Sequence, residues 1–414
     1  MNLIDTASLV LVTAALFAWF NHRYIKLPTT IGIMLIALIL SLLLIVLSKF
    51  GIGVGQEYAE TFVSGIDFNR TLMDGMLSFL LFAGALHINL NQLLKHKLLI
   101  GVLATVGVVS STFIVGISSF YILQIFGLEM PFIYCLLFGS LIAPTDPVAV
   151  MAIMKNAGAS KSLETKIAGE SLFNDGVAVV VFLVILGIAT GENEASFSSI
   201  SKLFLIEAVG GVVFGFLIGG IGYYLLRTID NYKVEALITL AMVTGGYQMA
   251  LQLHTSGPIA VVIAGLLIGN HGRDTAMSET TAHQLDHFWE LIDEILNAAL
   301  FMLIGIEMMI ISMTGNILIA GLILAVVALT ARFISVGIPT SVLKLRNSFH
   351  PHVVKILTWG GLRGGISVAL ALSLPSSAER DIIVAITYII VVLSISLQGL
   401  TIGKLIKRTS QSSS

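Results

Sequence analysis

Residues 168–188 read AGESLFNDGVAVVVFLVILGI. The second half of this stretch is apolar throughout, and about 20 mostly apolar residues span a bilayer as a helix. The first half nevertheless carries two carboxylates, Glu170 and Asp175, five positions apart. Ionisable side chains inside a membrane are costly unless they are paired or hydrated, and they usually mark functional sites. The stretch therefore predicts a membrane-spanning helix that carries a functional site.

The composition of the whole chain supports the same class of fold. Hydrophobic residues make up 56% of the 414 residues and charged residues only 11%, against about 25% charged residues in soluble domains. The mean hydropathy is +0.97. Because the length allows about a dozen spans with short loops, we predict an all-α polytopic membrane protein, with residues 1–414 forming a single integral membrane domain. The one cysteine, Cys135, leaves no disulfide within the chain.

Hydropathy divides the chain into thirteen predicted spans. They are 3–20, 28–48, 72–90, 98–126, 131–154, 165–190, 203–226, 234–253, 257–270, 287–310, 315–341, 353–374 and 382–405. Lys and Arg favour cytoplasmic loops, which tests this alternation. With the N-terminus outside, 16 of these residues fall on the cytoplasmic side, 4 on the opposite side and 2 within spans, which accounts for all 22. The distribution predicts an N-terminus outside and a cytoplasmic C-terminus.

Two of the predicted spans are interrupted. The fifth contains APTDP at 143–147, and the twelfth contains GGLRGG at 360–365. The interruptions lie seven spans apart, and an odd offset gives the two spans opposite orientations, as inverted repeats require. Paired interrupted helices indicate a transporter's binding site. The alternative is that Pro and Gly are simply frequent in membrane helices.

The polar residues of the sixth span form one stripe. Ser171 and Asp175 are four residues apart, as are Glu170 and Asn174, and residues at this spacing share a helix face. A carboxylate beside a hydroxyl and an amide oxygen offers the hard ligands that small cations prefer. The same carboxylate can bind a proton, so cation and proton would compete for Asp175. The alternative for Asp175 is a structural carboxylate neutralised by an arginine.

The remaining charges in the spans are expected to have structural roles more often than transport roles. Glu170 and Arg363 are predicted to form an ion pair between the sixth and twelfth spans. Asp146 is expected either to ligate the cation, with the Thr145 hydroxyl and freed carbonyls, or to neutralise the helix N-terminus that follows it. Arg332 is expected to cap carbonyls or to pair locally.

Charges near the span ends are expected to be solvated. Glu207 and Glu307 are expected to reach water. His283 and His287 lie in an acidic segment that is expected to be a solvated face, with a pH sensor as the alternative.

The stretch GESLFNDG at 169–176 looks like the signature of the sodium/proton exchangers of the cation:proton antiporter superfamily, in the branch of the bacterial and archaeal NhaP proteins. Residues 143–148, 359–369 and 27–28 resemble the same family. The resemblance covers nearly the whole chain. It implies about thirteen transmembrane helices in inverted repeats, with two crossed unwound helices, in a homodimer of the cell (inner) membrane.

The resemblance also implies a division of the chain and a set of roles. Residues 98–190 and 315–408 would form the ion-binding core, and residues 1–90 and 203–310 the dimerisation or scaffold subdomain. The roles at the site follow residue by residue. Asp175 would bind Na⁺ or H⁺, Ser171 and Thr145 would add oxygen ligands, Asn174 would hold the crossed helices, Glu170 and Arg363 would form the interhelical ion pair, and Asp146 would cover the crossing. An asparagine before the aspartate is associated with electroneutral exchange in this superfamily.

The function expected from these features is exchange of Na⁺, with Li⁺ as a second substrate, for H⁺ in pH homeostasis. The alternatives are a K⁺/H⁺ antiporter of the same fold, a cation channel, and an intramembrane enzyme with Asp146 and Asp175 as a dyad. HExxH, Walker and paired-cysteine motifs are absent from the sequence. We therefore expect no enzyme activity and no cofactor beyond the transported ions. The expected partners are a monovalent cation, H⁺, membrane lipid and a second copy of the chain, without nucleic acid.

Overall fold

The structure, a computed structural model, describes residues 3–50, 71–191, 196–309, 311, 313–344 and 352–411. Two residues of the charge count, Arg70 and Arg346, lie outside the described residues. The α-helices of the described residues, numbered in chain order, are α1 (Leu3–Phe20), α2 (Thr29–Lys49), α3 (Leu77–Leu86), α4 (Leu90–Lys95), α5 (Lys97–Val102), α6 (Val108–Ile125), α7 (Phe132–Ile142), α8 (Val148–Ala157), α9 (Lys161–Ala189), α10 (Phe197–Arg227), α11 (Tyr232–Gln252), α12 (Gly257–Leu267), α13 (Arg273–Thr275), α14 (Glu279–Glu307), α15 (Gly315–Lys344), α16 (Val353–Trp359), α17 (Gly365–Leu372), α18 (Ala378–Leu393) and α19 (Leu400–Gln411).

Several of these helices are joined or extended by π-helical turns. The turns in the described residues are Asn21–Ile25, Thr71–Met76, Leu103–Gly107, Ile268–Gly272 and Ser394–Gly399. Three of them join consecutive α-helices into one segment, α5 with α6, α12 with α13 and α18 with α19. A π-helical turn widens the helix locally and often lies at a functional site.

The prediction of an all-α polytopic membrane protein is confirmed. Seven helical segments of the described chain are long and apolar enough to cross a membrane: Thr29–Ser48, Lys97–Ile125, Lys161–Ala189, Ser198–Arg227, Tyr232–Gln252, Gly315–Leu343 and Ala378–Thr409. Thr71–Leu86 and Phe132–Ile142 are shorter apolar helices. Each of the thirteen predicted ranges overlaps helix, and the number of membrane crossings stays a prediction.

Several helices begin earlier in the chain than hydropathy predicts, and two of them show the reason. The α9 helix begins at Lys161, where the Ser160 side chain accepts a hydrogen bond from the Leu163 amide. The α14 helix begins at Glu279, where Ser278 accepts one from Thr281. A serine at the N-cap satisfies one of the unpaired amides of the first turn. These capped first turns are polar, so an apolar-run criterion misses them.

The two interrupted spans cross each other, as predicted. The fifth span is split at 143–147 between α7 and α8, and the twelfth at 360–364 between α16 and α17. Pro147 cannot donate to a helix ladder, and Pro144 disfavours helix at the residue before it. At the crossing, the Asp146 amide donates to the Leu362 carbonyl over 2.8 Å in an antiparallel bridge.

The α9 helix runs beside this crossing and packs against α7, α10 and α12. Its contact with α12 is close at Gly176, where a β-carbon would lie 2.7 Å from Ile259 Cγ1. Glycine therefore lets the two helices approach next to Asp175. On another side, α15 packs against α6, α16 and α18. The division into core and scaffold subdomains stays a prediction.

Candidate functional site

Hydrogen bonds join the first interruption to α9. Thr145 and Ser171 are both buried, and their hydroxyl oxygens lie 3.0 Å apart. Asn174, which is fully buried, donates from Nδ2 to Thr145 Oγ1 over 2.9 Å. The Thr145 amide in turn donates to Asn174 Oδ1 over 3.3 Å. The structure therefore brings together three of the predicted site residues at the level of the crossing.

Asp175 lies on the same helix, four residues after Ser171. Its side chain is only 4% exposed. Its Oδ1 atom is buried and makes no hydrogen bond with the described residues. A buried carboxylate oxygen without a donor is expensive. A proton or a cation at this oxygen would remove that cost, so the residues fit the predicted binding chemistry. The role of each residue in ion binding stays a prediction.

Asp146 lies at the crossing itself, one residue after Thr145. It is partly buried, and it precedes the start of α8 by two residues. Its carboxylate lies against the backbone of Gly364, the N-cap of α17, where any β-carbon would collide with it. Glycine at 364 is therefore required for this contact. The placement is compatible with both predicted roles, since a carboxylate next to a helix N-terminus is favourable.

The predicted ion pair between Glu170 and Arg363 is wrong. Glu170 pairs with Arg332 of α15 instead, with Arg332 donating from Nη1 to Oε1 over 2.7 Å and from Nη2 to Oε2 over 2.6 Å. Both side chains are almost completely buried. Asn174 adds a third bond, from Nδ2 to Glu170 Oε1 over 2.7 Å. The carboxylate of Glu170 is therefore neutralised by Arg332, and each of its oxygens has at least one donor.

Arg332 also donates from Nη2 to the Leu357 carbonyl over 3.4 Å, so its expected capping of carbonyls holds in part. Arg363 caps carbonyls as well, although an ion pair was predicted for it. Its Nη1 donates to the carbonyl oxygens of Ala143 and Pro144 over 2.6 and 2.8 Å. The first interruption releases these carbonyls from helix geometry, so they need donors from another element. Arg332 reaches Glu170 because α15 and α9 both pack against α5 and the turn Leu103–Gly107, although the two residues lie 162 positions apart in the chain.

The sequence reasoning also missed Ser394 and Gln398 in the last span. The Arg363 amide donates to Ser394 Oγ over 3.0 Å, and Ser394 lies 2.5 Å from Gln398 Oε1. A polar pair four residues apart in an apolar span is the signal that could have revealed them.

Some of the charged residues near the span ends are solvated, as expected, and others are not. Glu307 was expected to reach water, but its exposure is only 9%. Glu207 is half-buried. His287 and Glu290 are mainly exposed, as expected for a solvated face.

This arrangement defines a class of protein: a helical secondary transporter whose two interrupted spans cross beside a buried carboxylate. The family described as sodium/hydrogen exchanger, transmembrane, matches residues 11–408 by its sequence profile. The chain therefore belongs to the sodium/hydrogen exchanger family.

Individual relatives agree with this assignment. The chain is 48% identical over 410 residues to the Na⁺/H⁺ antiporter NhaP of Pseudomonas aeruginosa, covering 98% of this chain and 97% of that protein. It is 33% identical to the Na⁺/H⁺ antiporter NhaH of Halobacillus dabanensis, covering 93% of each. Its fold matches the solved structure of the sodium proton antiporter MjNhaP1 from Methanocaldococcus jannaschii, with a TM-score of 0.74, 20% identity, and coverage of 98% of this chain and 99% of that one.

Proposed function

We propose that this chain is a secondary antiporter that exchanges Na⁺, and also Li⁺, for H⁺ across the cell membrane. Relatives that match it over nearly their whole length are named Na⁺/H⁺ antiporters. The observation that carries the proposal is the contrast between two buried carboxylates on α9. Glu170 accepts three hydrogen bonds, whereas Asp175 Oδ1 accepts none from the described residues.

The coupling follows from competition for one carboxylate. Either a proton or a cation neutralises Asp175, and the hydroxyls of Ser171 and Thr145 supply further oxygen ligands to the cation. Both ions cannot occupy the same oxygens at once. When a proton or a cation is bound, the charge of Asp175 is compensated, and the site can change its exposure from one side of the membrane to the other. When the site is empty, the uncompensated carboxylate makes that movement unfavourable.

The proposed exchange is electroneutral. Glu170 keeps the same partners whichever ion is bound, since Arg332 neutralises it and Asn174 adds a further hydrogen bond. Asn174 carries no charge, so only Asp175 changes its ionic partner in the cycle. One cation would then move for one proton, and the membrane potential would not drive the exchange.

The movement that exposes the site to either side is assigned to the two subdomains of the chain. The core, residues 98–190 and 315–408, would move against the scaffold, residues 1–90 and 203–310, with the scaffold forming a homodimer. The N-terminus would lie outside and the C-terminus in the cytoplasm, as the distribution of Lys and Arg favours. Alternating access around a site between repeats is the general mechanism of such folds.

The proposal is tested in respiring everted vesicles that contain a pH-sensitive dye. NaCl, LiCl or KCl is added to wild type, to Asp175→Asn and to the matched variant Asp381→Asn, whose carboxylate is exposed. We expect Na⁺ and Li⁺ to dissipate the pH gradient in wild type and in Asp381→Asn, and no response in folded Asp175→Asn. A response to K⁺ alone would support the K⁺/H⁺ alternative.

Two further outcomes would contradict the proposal. Undiminished exchange in Asp175→Asn would remove the competition mechanism. Cation current through a bilayer without a proton gradient would indicate a channel. The stoichiometry is tested separately by clamping the potential with valinomycin and K⁺, which should leave the rate of an electroneutral exchanger unchanged.

A further inference from the structure

Side chains of the last span form a chain of hydrogen bonds across the second interruption. The Arg363 amide donates to Ser394 Oγ over 3.0 Å. Ser394 donates to Gln398 Oε1 over 2.5 Å, and Gln398 Nε2 donates to the Trp359 carbonyl over 3.3 Å. Trp359 is the last residue of α16, and Arg363 precedes α17 by two positions. Ser394 and Gln398 therefore link the two half-helices of the twelfth span.

The chain of donors runs in one direction. Each group donates to the next, from the Arg363 amide to the Trp359 carbonyl, so the hydrogen bonds polarise one another cooperatively. Backbone groups of an interrupted helix at membrane depth have no water to satisfy them, and each unsatisfied group costs several kcal/mol. The π-helical turn Ser394–Gly399 carries both side chains and meets this need.

The side chain of Arg363 connects this series of hydrogen bonds to the ion site. The guanidinium of Arg363 donates to the carbonyls of Ala143 and Pro144, which immediately precede Thr145. Thr145 bonds to Ser171 and Asn174 on α9. A displacement of the Arg363 backbone would therefore move the Thr145 hydroxyl relative to Asp175.

We propose that Ser394 and Gln398 are positioning residues of the ion site, which act through Arg363 on the oxygens supplied by the first interruption. Neither side chain donates a hydrogen bond to Asp175 Oδ1. The inference rests on the proposed Na⁺/H⁺ exchange and adds to it the last span as the element that sets cation affinity. Loss of either side chain weakens cation binding more than it slows the movement of a loaded site.

The π-helical turn offers a matched control. Ser396 lies in the same turn, and its hydroxyl makes no hydrogen bond with the described residues. Ser394→Ala and Ser396→Ala remove the same atom two positions apart. Ser394→Thr keeps the hydroxyl, and Gln398→Met keeps the approximate length of the side chain but removes its amide.

The experiment measures the apparent KM for Na⁺ and the maximal rate of these variants in everted vesicles at one pH. Removal of a buried hydrogen bond should raise KM about tenfold in Ser394→Ala and Gln398→Met. The maximal rate should stay near that of wild type. Ser396→Ala and Ser394→Thr should both retain the wild-type KM. The double variant Ser394→Ala/Gln398→Met should be little worse than either single variant, since both break one chain.

The proposal is overturned if KM is the same in Ser394→Ala and Ser396→Ala, or if only the amount of folded protein changes. If Ser394→Ala is not recovered folded, Gln398→Met decides the question alone. Wild type that exchanges none of the cations would refute the proposed function instead. In that case, the Na⁺-induced rise in the unfolding temperature of purified protein, with choline chloride as control, still compares the variants, and equal shifts would overturn the positioning role.

Discussion

Two buried carboxylates lie five positions apart on α9 and have opposite surroundings. Glu170 is 1% exposed and receives two bonds from Arg332 and one from Asn174. Asp175 is 4% exposed, and its Oδ1 receives no bond from the described residues. Burial is therefore almost equal, and the supply of donors is what differs.

This difference separates a structural group from a group that can exchange its partner. A carboxylate that is paired with an arginine and has a donor at each oxygen gains little from another ligand, because its charge is already compensated. An unsaturated one regains much of its desolvation cost when a proton or cation arrives. The first should matter most for folding and the second for transport. Variants at each end of this polar stripe test that separation.

The largest effect on stability is expected at the Glu170 end. Arg332→Met removes one partner of a buried pair and should lower the free energy of unfolding by about 3–5 kcal/mol. Asp175→Asn should change it little, because no described donor is lost. Thermal unfolding followed by size-exclusion of purified protein measures both variants.

The double variant Glu170→Gln/Arg332→Met sharpens this test. Removal of both charges leaves no uncompensated ion, and such replacements of buried pairs are often nearly neutral. We expect the double variant to be more stable than Arg332→Met alone. An equally unstable double variant would show that packing of the arginine, and not its charge, holds α9 against α15.

Asn174 donates to both Glu170 and Thr145, and its loss should have the next largest effect on stability. Asn174→Ala leaves the buried Thr145 amide without its acceptor and should lower the free energy of unfolding by about 2 kcal/mol. The matched control is Asn297→Ala on α14, which is also buried and donates to the Asp293 carbonyl of its own helix. In one outcome, the two variants lose the same stability, while Asn297→Ala keeps transport and Asn174→Ala loses it. That outcome would show that Asn174 acts at the ion site and does not hold the crossing together.

Much of the fold could be predicted because its signals are local. Apolar runs reveal the spans, and Pro144, Pro147 and the glycines at 360–365 reveal the interruptions whatever surrounds them. Helix ends were predicted less well, since the serine caps at 160 and 278 lie in polar turns outside the apolar runs.

The site could be predicted only as far as one helix determines it. Ser171, Asn174 and Asp175 share a face by their spacing alone. The partner of Glu170 could not be predicted in this way. Arg332 and Arg363 both lie within predicted spans, and the sequence does not show which of them lies next to Glu170. Only the tertiary fold decides that Arg332 of α15 meets the Glu170 carboxylate. The π-helical turn that carries Ser394 and Gln398 likewise depends on its fit to the second interruption.

A smaller effect is expected where the two interruptions touch. Gly364→Ala introduces a β-carbon that collides with the Asp146 carboxylate, and such overpacking should cost about 1–2 kcal/mol. The carboxylate would be displaced away from the start of α17. Gly315→Ala is the control, since open space surrounds that glycine. A rise in the apparent KM for Na⁺ in Gly364→Ala would favour a ligand role for Asp146, and an unchanged KM would favour the helix-end role.

The smallest effect is expected at the N-terminal end of α9, where His96 Nε2 lies 2.9 Å from Ser162 Oγ. Burial lowers the pKa of His96 from 6.5, and the charges of Lys166 and Lys95 lower it further. The unfolded chain then binds the proton more readily than the folded protein. The contribution of the neutral His96 to stability is therefore complete above pH 6.5 and is lost as the pH falls below it.

Unfolding temperatures of wild type and His96→Gln between about pH 5 and 8 measure this contribution of His96, and the variant should show the flatter profile of unfolding temperature against pH. Ser162→Ala keeps the imidazole and its burial, so it should retain most of the slope. A flat profile in Ser162→Ala would mean that the hydrogen bond, and not burial, holds the imidazole neutral. The α9 helix would then carry a proton-sensitive contact in addition to the paired carboxylate of Glu170 and the carboxylate of Asp175.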